Sequence, residues 1–389
     1  MLIRRHIEKK LLEWARQYPV VTVTGPRQSG KTTLCRYLFP DKPYRSLEDP
    51  DVRTFARTDP RGFLAEIPDG AVLDEIQNVP DLISYIQTIV DENRRPGLFI
   101  LTGSCHFEMM ESVTQSLAGR TAIARLLPFS MEELYAGASD VALDYVLYSG
   151  FYPRIHDQKL NPTEALAFYV STYLERDVRR ITAVTDLARF ETFLRLCAGR
   201  TGQIVDLSGL GNECGISHNT VKSWLTVLQA SDIVMLLPPW HANLNKRLTK
   251  RPKLYFLDTG LACYLLGIHK PEHLTGHPLR GSLFETLVVS EACKQLCHAG
   301  RMTPMYFYRD SNGYEVDLLV GAPHELHVWE AKCAMTVVDD FFRGISALER
   351  AVGPLASKAV IYAGDERTSR HGAAVIPWRQ IGDAFIKAT

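Results

Sequence analysis

The stretch VVTVTGPRQSGKTTLCRYL, residues 20–38, decides the fold of the amino-terminal part of this chain. It starts with five β-branched residues, Val20 to Thr24, which are typical of a buried parallel strand. The glycine-containing segment 25–32 follows at once, and a helical pattern begins behind it. A strand, a glycine-rich loop and a helix in this order predict a helix amino terminus whose backbone N–H groups surround a phosphate.

Single positions of this phosphate-binding loop have predicted roles. Gly25 and Gly30 let the backbone curl around the β-phosphate, and Lys31 reaches the β- and γ-phosphates. The Thr32 hydroxyl is placed to bind Mg²⁺. The sequence therefore predicts a site for ATP and Mg²⁺, in which the nucleotide contacts a continuous run of residues: Gly25, Pro26, Arg27, Gln28, Ser29, Gly30, Lys31, Thr32 and Thr33.

A second motif, GAVLDE at residues 70–75, predicts an apolar strand that ends in two carboxylates. We expect Asp74, at the carboxyl end of this strand, to hold Mg²⁺, and Glu75 to polarise the attacking water. Taken alone, the segment also fits a strand followed by a solvated acidic turn. Its combination with the loop favours the ATPase interpretation.

Two further segments supply polar residues for the same site. The strand predicted at residues 97–104 ends in Thr102 and Ser104, either of which is suited to sense the γ-phosphate. Arg120 precedes another apolar strand and is predicted to contact the γ-phosphate, either in its own chain or from a neighbouring subunit. A surface ion pair is an equally good interpretation of Arg120.

Several segments together resemble a family of prokaryotic AAA-type P-loop ATPases that carry a C-terminal domain of unknown function. They are GPRQSGKTTL (25–34), LEDPDVR (47–53), AVLDEIQNVPDL (71–82), FILTGS (99–104), SLAGRTAIARLLPFSMEEL (116–134), YSGFYPRI (148–155) and STYLERDV (171–178). The resemblance implies an α/β fold with a parallel sheet of the ASCE type. It also implies that another strand separates the strand bearing Asp74 from the strand of the phosphate-binding loop.

The middle of the chain predicts a helical connector followed by a winged helix. Residues 204–225 fit a helix-turn-helix whose second helix opens at Ser217, and two strands then bracket a basic loop. On DNA, this region would contact the major groove and the phosphates. The predicted DNA contacts are His218, Asn219, Lys222, Lys246, Arg247, Lys250 and Arg251. Winged helices also bind proteins, so a role without DNA stays open.

The last part of the chain predicts a small α/β domain similar to PD-(D/E)xK nucleases. Glu285 lies in a helical pattern, Asp317 lies in a strand, and Glu330 and Lys332 alternate on a following strand. Alternation places Glu330 and Lys332 on one face, where carboxylates can hold Mg²⁺ beside a lysine. The same residues also fit a plain amphipathic hairpin or a binding platform, because function belongs to the site and not to the fold.

Composition limits the classes of protein that fit. The 389 residues carry a formal net charge of zero, so affinity for nucleic acid would have to come from a local basic patch. The eight cysteines form no CxxC pair, which argues against a zinc site or a disulfide framework. No apolar run reaches membrane-spanning length and the amino terminus does not resemble a secretory signal. We therefore expect a cytoplasmic protein without a membrane partner.

These patterns divide the chain into four predicted regions. They are an AAA-type P-loop ATPase domain (1–135), a helical connector (136–200), a winged-helix domain (201–275) and a nuclease-like α/β domain (276–389). The favoured function is an ATPase whose nucleotide state controls engagement of DNA or another partner. The alternatives are an ATP-regulated, metal-dependent nuclease and a nucleotide switch that binds a protein partner or another copy of itself without nucleic acid.

Overall fold

The computed structural model describes residues 3–103, 116–138, 140–176, 178, 184, 186–241, 251–301, 303–322 and 324–385. The chain folds as two compact units. The first unit comprises residues 1–129 with the short segments 230–232 and 297–300. The second comprises residues 130–229, 233–296 and 301–389. Each unit has β-sheet structure of its own.

The first unit is built on a five-stranded sheet whose neighbouring strands are all parallel. The strands are β1 (Val20–Thr24), β2 (Tyr44–Ser46), β3 (Val72–Asp74), β4 (Phe99–Gly103) and β5 (Thr121–Arg125). Their spatial order is β2-β3-β4-β1-β5. Strand β4 thus separates the strand that ends in Asp74 from the strand of the phosphate-binding loop, which confirms the order that the resemblance implies.

The described residues of the first unit form five α-helices, two of which begin at a side-chain cap. They are α1 (Glu8–Ala15), α2 (Lys31–Leu38), α3 (Pro50–Thr58), α4 (Pro60–Ala65) and α5 (Leu82–Glu92). The carboxylate of Asp49 accepts the N–H of Asp51 at 2.9 Å, and that of Asp59 accepts the N–H of Gly62 at 2.9 Å. Each cap is followed by a proline, whose fixed φ suits the first helical position. These short helices are therefore specified locally.

Alternate residues of β1 pack into two different hydrophobic cores. Val20 packs in a core with Leu73 and Leu101, whereas Val21 and Val23 pack in another. Because successive side chains of a strand point to opposite faces, both faces of the sheet are covered. Burial on both faces explains why the strand is a continuous apolar run. The parallel strands deliver their carboxyl ends, including those of β1 and β3, to one edge of the sheet.

The second unit begins with helices and a small antiparallel sheet. The helices are α6 (Met131–Tyr135), α7 (Leu143–Ser149), α8 (Pro153–Asp157), α9 (Pro162–Arg176), α10 (Leu187–Ala198), α11 (Leu207–Cys214) and α12 (His218–Ala230). Gly215, at φ +64°, ends α11, and the Ser217 hydroxyl accepts the N–H of Thr220 at 3.1 Å at the start of α12. The sheet has the order β6-β8-β7 and consists of β6 (Gln203–Ile204), β7 (Val234–Leu237) and β8 (Lys253–Phe256).

The remainder of the second unit is a six-stranded mixed sheet with helices. The strands are β9 (Met305–Arg309), β10 (Glu315–Val320), β11 (His327–Lys332), β12 (Ser357–Tyr362), β13 (Thr368–Arg370) and β14 (Ala373–Pro377). The helices are α13 (Thr259–Leu265), α14 (Arg280–His298), α15 (Arg343–Val352) and α16 (Ile381–Phe385). Strand β10 runs antiparallel to β9 and β11, whereas β11, β12 and β14 are parallel. In the part of the chain that the structure describes, no helix is both long and apolar enough to cross a membrane.

A buried charged network fixes the segment YSGFYPRI in the second unit. The carboxylate of Asp258 accepts the N–H groups of Phe151 at 2.7 Å and Leu261 at 2.8 Å. The ammonium of Lys294 lies 3.8 Å from the centre of the Phe151 ring and donates to Glu291 at 2.8 Å. These charged side chains are almost fully buried. Because a buried charge needs a partner, the network ties α14 to the segment after α7.

Candidate functional site

The phosphate-binding loop leaves β1 in a conformation that requires glycine. Gly25 has φ +145°, and a Cβ atom there would lie 2.1 Å from the carbonyl oxygen of Leu126. Gly30 has φ +90° and immediately precedes α2. A side chain would clash at the first position and strain the second. The loop therefore turns tightly from the strand into the helix, as the spacing predicts.

Lys31 folds back into this loop. Its side chain is buried, and its ammonium donates to the carbonyl oxygens of Gly25 at 2.9 Å and Pro26 at 2.8 Å. Burial lowers the pKa of Lys31, while the negative charges of Glu75, Asp232 and Asp74 oppose that shift. The ammonium is thus held at the carboxyl edge of the sheet by neutral acceptors, with acidic side chains nearby.

Asp74 is the centre of a hydrogen-bond network at the end of β3. The hydroxyl of Thr32 lies 3.1 Å from Oδ1 and 3.0 Å from Oδ2 of Asp74, and the Tyr44 hydroxyl donates to Oδ2 at 2.7 Å. The Thr102 hydroxyl also donates to Asp74. Burial and the hydrogen bond to Asp74 raise the pKa of Tyr44 to about 12, so Tyr44 remains a donor. The structure brings together two side chains that the sequence predicts as Mg²⁺ ligands.

Glu75 adopts an unusual backbone conformation beside this network. Its φ of +57° lies in the left-handed region, which costs free energy for a residue that is not glycine. The N–H of Glu75 donates to the Thr102 hydroxyl at 3.4 Å, and its carboxylate accepts from the Gln77 amide. Thr102 therefore links both residues of the acidic pair.

Arg120 and Ser104 are not brought to the loop by the described structure. Arg120 precedes β5 at the amino edge of the sheet, opposite the loop, and its guanidinium donates to both carboxylate oxygens of Asp91, at 2.5 and 2.9 Å. The predicted contact of Arg120 with a γ-phosphate of its own chain is therefore wrong, because parallel strands place their two ends at opposite edges. A contact from a neighbouring subunit stays a prediction. Ser104 lies outside the described residues.

Arg125, unlike Arg120, lies at the edge of the sheet that carries the phosphate-binding loop. It ends β5 and pairs in register with Thr24, the last residue before the loop. Its guanidinium donates to Oδ1 of Asp232 at 2.8 Å from Nε and again from Nη2. Asp232 is 3% exposed, and its Oδ2 is buried with no hydrogen-bond partner among the described residues. No sequence pattern predicts this pair, since local patterns do not join positions so far apart.

Arg5 is a second missed residue. It is buried, and its guanidinium donates to the carbonyl oxygens of Ser29 at 2.9 Å and Leu127 at 2.7 Å. It also lies over the ring of Phe129, 4.8 Å from the ring centre. Arg5 thus stabilises the phosphate-binding loop through its hydrogen bond to the backbone of Ser29. The sequence does not predict this role of Arg5, because a charged residue next to the apolar positions of α1 has no distinctive pattern.

The predicted DNA contacts that the structure describes lie in the second unit. His218, Asn219 and Lys222 are exposed on α12, and the exposed Arg251 lies 3.9 Å from a carboxylate oxygen of Asp206. A cleft of about 480 Å³ is lined in part by His218, Lys222 and Arg251. The other basic residues predicted in the loop lie outside the described residues: Lys246, Arg247 and Lys250.

The four residues of the nuclease-like pattern converge in the second unit. The N–H of Ala331 donates to Oδ2 of Asp317 at 2.9 Å, which joins β10 to β11. The ammonium of Lys332 donates to Glu330 on the same strand face. Burial and the charge of Asp317 raise the pKa of Glu285 to about 7 and raise that of Glu330 well above its ordinary value. Burial is the larger cause of both shifts, and the negative charge of Asp317 adds to it.

Lys253 and Glu315 belong to the same cluster but were missed by the sequence analysis. The ammonium of Lys253 lies 2.8 Å from Oε1 of Glu285 and 3.7 Å from Oδ1 of Asp317, and it also donates to Glu315. Tyr255, two residues further along β8, donates to Glu285 as well. The alternation of polar and apolar residues in KLYF (253–256) is visible in the sequence, but the partners of Lys253 and Tyr255 are not.

Comparison with known families matches three parts of this chain. Residues 17–135 match the AAA domain. Residues 140–272 match a domain of unknown function (DUF8612), and residues 280–381 match another domain of unknown function (DUF4143).

Two mycobacterial proteins are similar along most of their length. The uncharacterized proteins Mb2031c of Mycobacterium bovis and Rv2008c of Mycobacterium tuberculosis are each 29% identical over 371 residues, which is 94% of this chain and 82% of each relative. Among solved structures, the Walker-type ATPase paby2304 of Pyrococcus abyssi has a TM-score of 0.48 at 17% identity and covers 68% of this chain and 96% of its own. The match of residues 17–135 to the AAA domain, with the parallel sheet and the loop geometry, supports a P-loop AAA-type ATPase family for this part of the chain.

Proposed function

We propose that this chain is an ATPase that binds ATP with Mg²⁺ at loop 25–32 and hydrolyses it. The observation that carries the proposal is the hydrogen bond of the Thr32 hydroxyl to both carboxylate oxygens of Asp74, at 3.1 and 3.0 Å. A hydroxyl at the loop and a carboxylate on a nearby strand are the ligands that P-loop ATPases give to Mg²⁺. Thr32 and Asp74 would hold this ion, which neutralises charge on the β- and γ-phosphates when it is bound.

Lys31 and the loop backbone supply the remaining binding energy. The ammonium of Lys31 donates to two neutral carbonyl oxygens, of Gly25 and Pro26. Charged phosphate oxygens are stronger acceptors, so a bound nucleotide would take over these hydrogen bonds. The N–H groups at the start of α2 would hold the β-phosphate, because they have no partner within the helix.

Glu75 is the residue we assign to activation of water. It follows the Mg²⁺ ligand Asp74 directly, and its charge acts on the buried ammonium of Lys31. Thr102 contacts both Asp74 and the backbone of Glu75, so it holds these two residues relative to one another. Ser104, two positions after Thr102 in the sequence, remains proposed as a second polar sensor.

Arg125 is the arginine that we propose for contact with the γ-phosphate in this chain. It ends β5 beside the loop, whereas Arg120 lies at the other edge. A guanidinium stabilises the charge that develops on phosphoryl oxygens during transfer. Asp232 holds the guanidinium of Arg125 through two hydrogen bonds to Oδ1, from Nε at 2.8 Å and from Nη2.

We infer that nucleotide state controls engagement of DNA through the chain that follows α12. Asp232 lies two residues beyond the end of α12, the helix that carries the exposed His218, Asn219 and Lys222. A change at Arg125 and Asp232 therefore acts directly on the connection to this helix. A protein partner or another copy of the chain is the alternative ligand of the same surface.

Binding and turnover of ATP test the enzymatic part of this proposal. Replacing Glu75 by Gln keeps the shape of the side chain but removes its charge, so ATP binding should persist while phosphate release stops. Calorimetry measures the first property and single-turnover phosphate release the second. Wild-type turnover in Glu75→Gln would remove Glu75 from the proposed role.

The effect of DNA on ATP turnover tests the proposed control of DNA engagement. ATP turnover is measured with and without duplex and single-stranded DNA, and DNA affinity is measured against salt. The double variant Lys222→Ala/Arg251→Ala should lower the salt slope by about two units, one for each phosphate contact. Unchanged turnover together with salt-independent binding would favour the protein partner.

A further inference from the structure

The second unit contains a carboxylate cluster with the donor chemistry of a divalent-cation site. Glu285, Glu315 and Asp317 each offer one oxygen, and these oxygens lie within 4.8 Å of one another. Mg²⁺ and Mn²⁺ prefer such carboxylate ligands in proteins. The cluster thus holds two carboxylates of the nuclease-like pattern, Glu285 and Asp317, together with Glu315, whereas Glu330 is not one of its three members.

An ammonium group fills the position between these carboxylates. Nζ of Lys253 lies 2.8 Å from Glu285 and 3.7 Å from Asp317, and it also donates to Glu315. The Lys253 side chain is only 4% exposed. A divalent metal ion and the ammonium of Lys253 compete for the same oxygens, because the same negative charge attracts both. The residues therefore do not fit a metal ion while Lys253 keeps this position.

We propose that Lys253 is the resident cation of this cluster and that it excludes divalent metal ions, so the nuclease-like site is closed to metal in this chain.

Lys253 is fixed in place by its strand. Its backbone pairs with Leu237 of β7 and with Ile204 of β6, so it lies in the central strand of the small sheet. Its ammonium also lies 5.5 Å from the centre of the Phe307 ring. Tyr255 reaches Glu285 from the same strand, because residues two apart share a face. Lys253 can leave the carboxylates only if β8 moves or its side chain becomes exposed.

Glu330 provides an independent sign that the cluster is short of positive charge. It is 5% exposed, Lys332 binds only Oε1, and Oε2 is buried without a hydrogen-bond partner among the described residues. A buried carboxylate oxygen without a partner is costly. Removing Lys253 would take an ammonium away from three further carboxylates, those of Glu285, Glu315 and Asp317. The opened cluster should therefore bind a divalent cation strongly.

The test replaces Lys253 by Met, which keeps the length of the side chain and removes the ammonium. All proteins carry Asp74→Asn, which silences the proposed metal site of the first unit, and nucleotide is left out. Binding of Mn²⁺ to the full chain is followed by the loss of the free Mn²⁺ signal in electron paramagnetic resonance. We expect Lys253→Met to bind one Mn²⁺ at least tenfold more tightly than the chain with Lys253, and Lys253→Met/Asp317→Asn to lose that binding.

Two outcomes overturn the proposal. One is tight Mn²⁺ binding with Lys253 present that disappears in Asp317→Asn, since the lysine would then not exclude the ion. The other is a folded Lys253→Met protein that binds no Mn²⁺. Lys270→Met, which removes an exposed lysine of the same unit, is the matched control and should leave Mn²⁺ binding unchanged.

A measurement of folding covers the case in which Lys253→Met unfolds. Circular dichroism of this variant is then recorded with Mn²⁺ and with Na⁺ at equal ionic strength. Recovery of the native spectrum with Mn²⁺ alone supports the proposal, because the metal ion replaces the missing ammonium. Failure of Mn²⁺ to restore the spectrum contradicts it.

Discussion

Arg125 and Asp232 form an ion pair with two hydrogen bonds although they are 107 positions apart in the sequence. Arg125 ends the strand beside the phosphate-binding loop, and the charge of Asp232 acts on Lys31 within that loop. Asp232, two residues beyond the end of α12, therefore lies near the phosphate-binding loop within the first unit. This relationship gives the proposed ATPase a physical connection to a second part of its chain.

Replacing Arg125 by Ala should slow ATP hydrolysis with little change in ATP affinity. A donor that acts on charge developing during the reaction is worth roughly 10²- to 10³-fold in turnover. Arg120→Ala is the matched control, and we expect it to stay within about twofold of wild type, because an exposed ion pair contributes little. Phosphate release and calorimetry separate the two effects. A large loss in Arg120→Ala with normal Arg125→Ala would instead place Arg120 at the site of a neighbouring subunit.

Replacing Lys31 by Ala should weaken the binding of ATP. The ammonium is buried in the loop, and a hydrogen bond to a charged group contributes about 1.5–3 kcal/mol, which is about 10- to 100-fold in affinity. Lys9→Ala, which removes an exposed lysine of α1, serves as the control. Titration with a fluorescent ATP analogue measures both. Equal affinity in the two variants would exclude the predicted phosphate contact.

Lys294→Met should destabilise the second unit strongly. Lys294 is fully buried between Glu291 and the Phe151 ring, and its charge also stabilises the carboxylate of Asp258. Loss of one partner of a buried ion pair costs about 3–5 kcal/mol, because the other charge stays buried. Chemical denaturation followed by circular dichroism measures the change. The double variant Lys294→Met/Glu291→Gln should recover part of it, and wild-type stability in Lys294→Met would contradict the described network.

His156 should make the stability of the second unit depend on pH. Nε2 of His156 forms a hydrogen bond with the carbonyl oxygen of Gly150 at 2.8 Å. Burial lowers the pKa of His156 below the ordinary value of 6.5. The unfolded chain therefore takes up a proton more readily than the folded chain, so stability falls as pH drops through and below about 6.5. Thermal unfolding at pH 7.5 and 5.5 measures this loss. His156→Gln should reduce it, whereas His218→Gln, at an exposed position, should not.

The phosphate-binding loop was predictable because its determinants are contiguous. Residues 20–32 contain the strand, the two glycines with positive φ and the lysine, so local backbone chemistry fixes their relation to one another. The strand ending in Asp74 was predictable for a similar reason, since an apolar run with two terminal carboxylates has a local pattern. The resemblance supplied the strand order, which periodicity alone does not give.

The arginine that ends β5 beside the phosphate-binding loop could not be chosen from the sequence. Arg120 and Arg125 flank one short strand, and both were compatible with a basic residue near the site. Only the direction of β5 within the parallel sheet decides that Arg125 reaches the loop edge. Asp232 was hidden for the same reason, because its partner lies in a different part of the chain.

The carboxylate cluster of the second unit was likewise predictable only in part. The sequence by itself determined the order Glu285, Asp317, Glu330 and Lys332, and strand alternation placed the last two on one face. Tertiary structure alone decided that Lys253 lies between these carboxylates, because β8 belongs to a different sheet. Electrostatic partners are chosen by distance in space, and a sequence pattern records such distances only along a single helix, strand or turn.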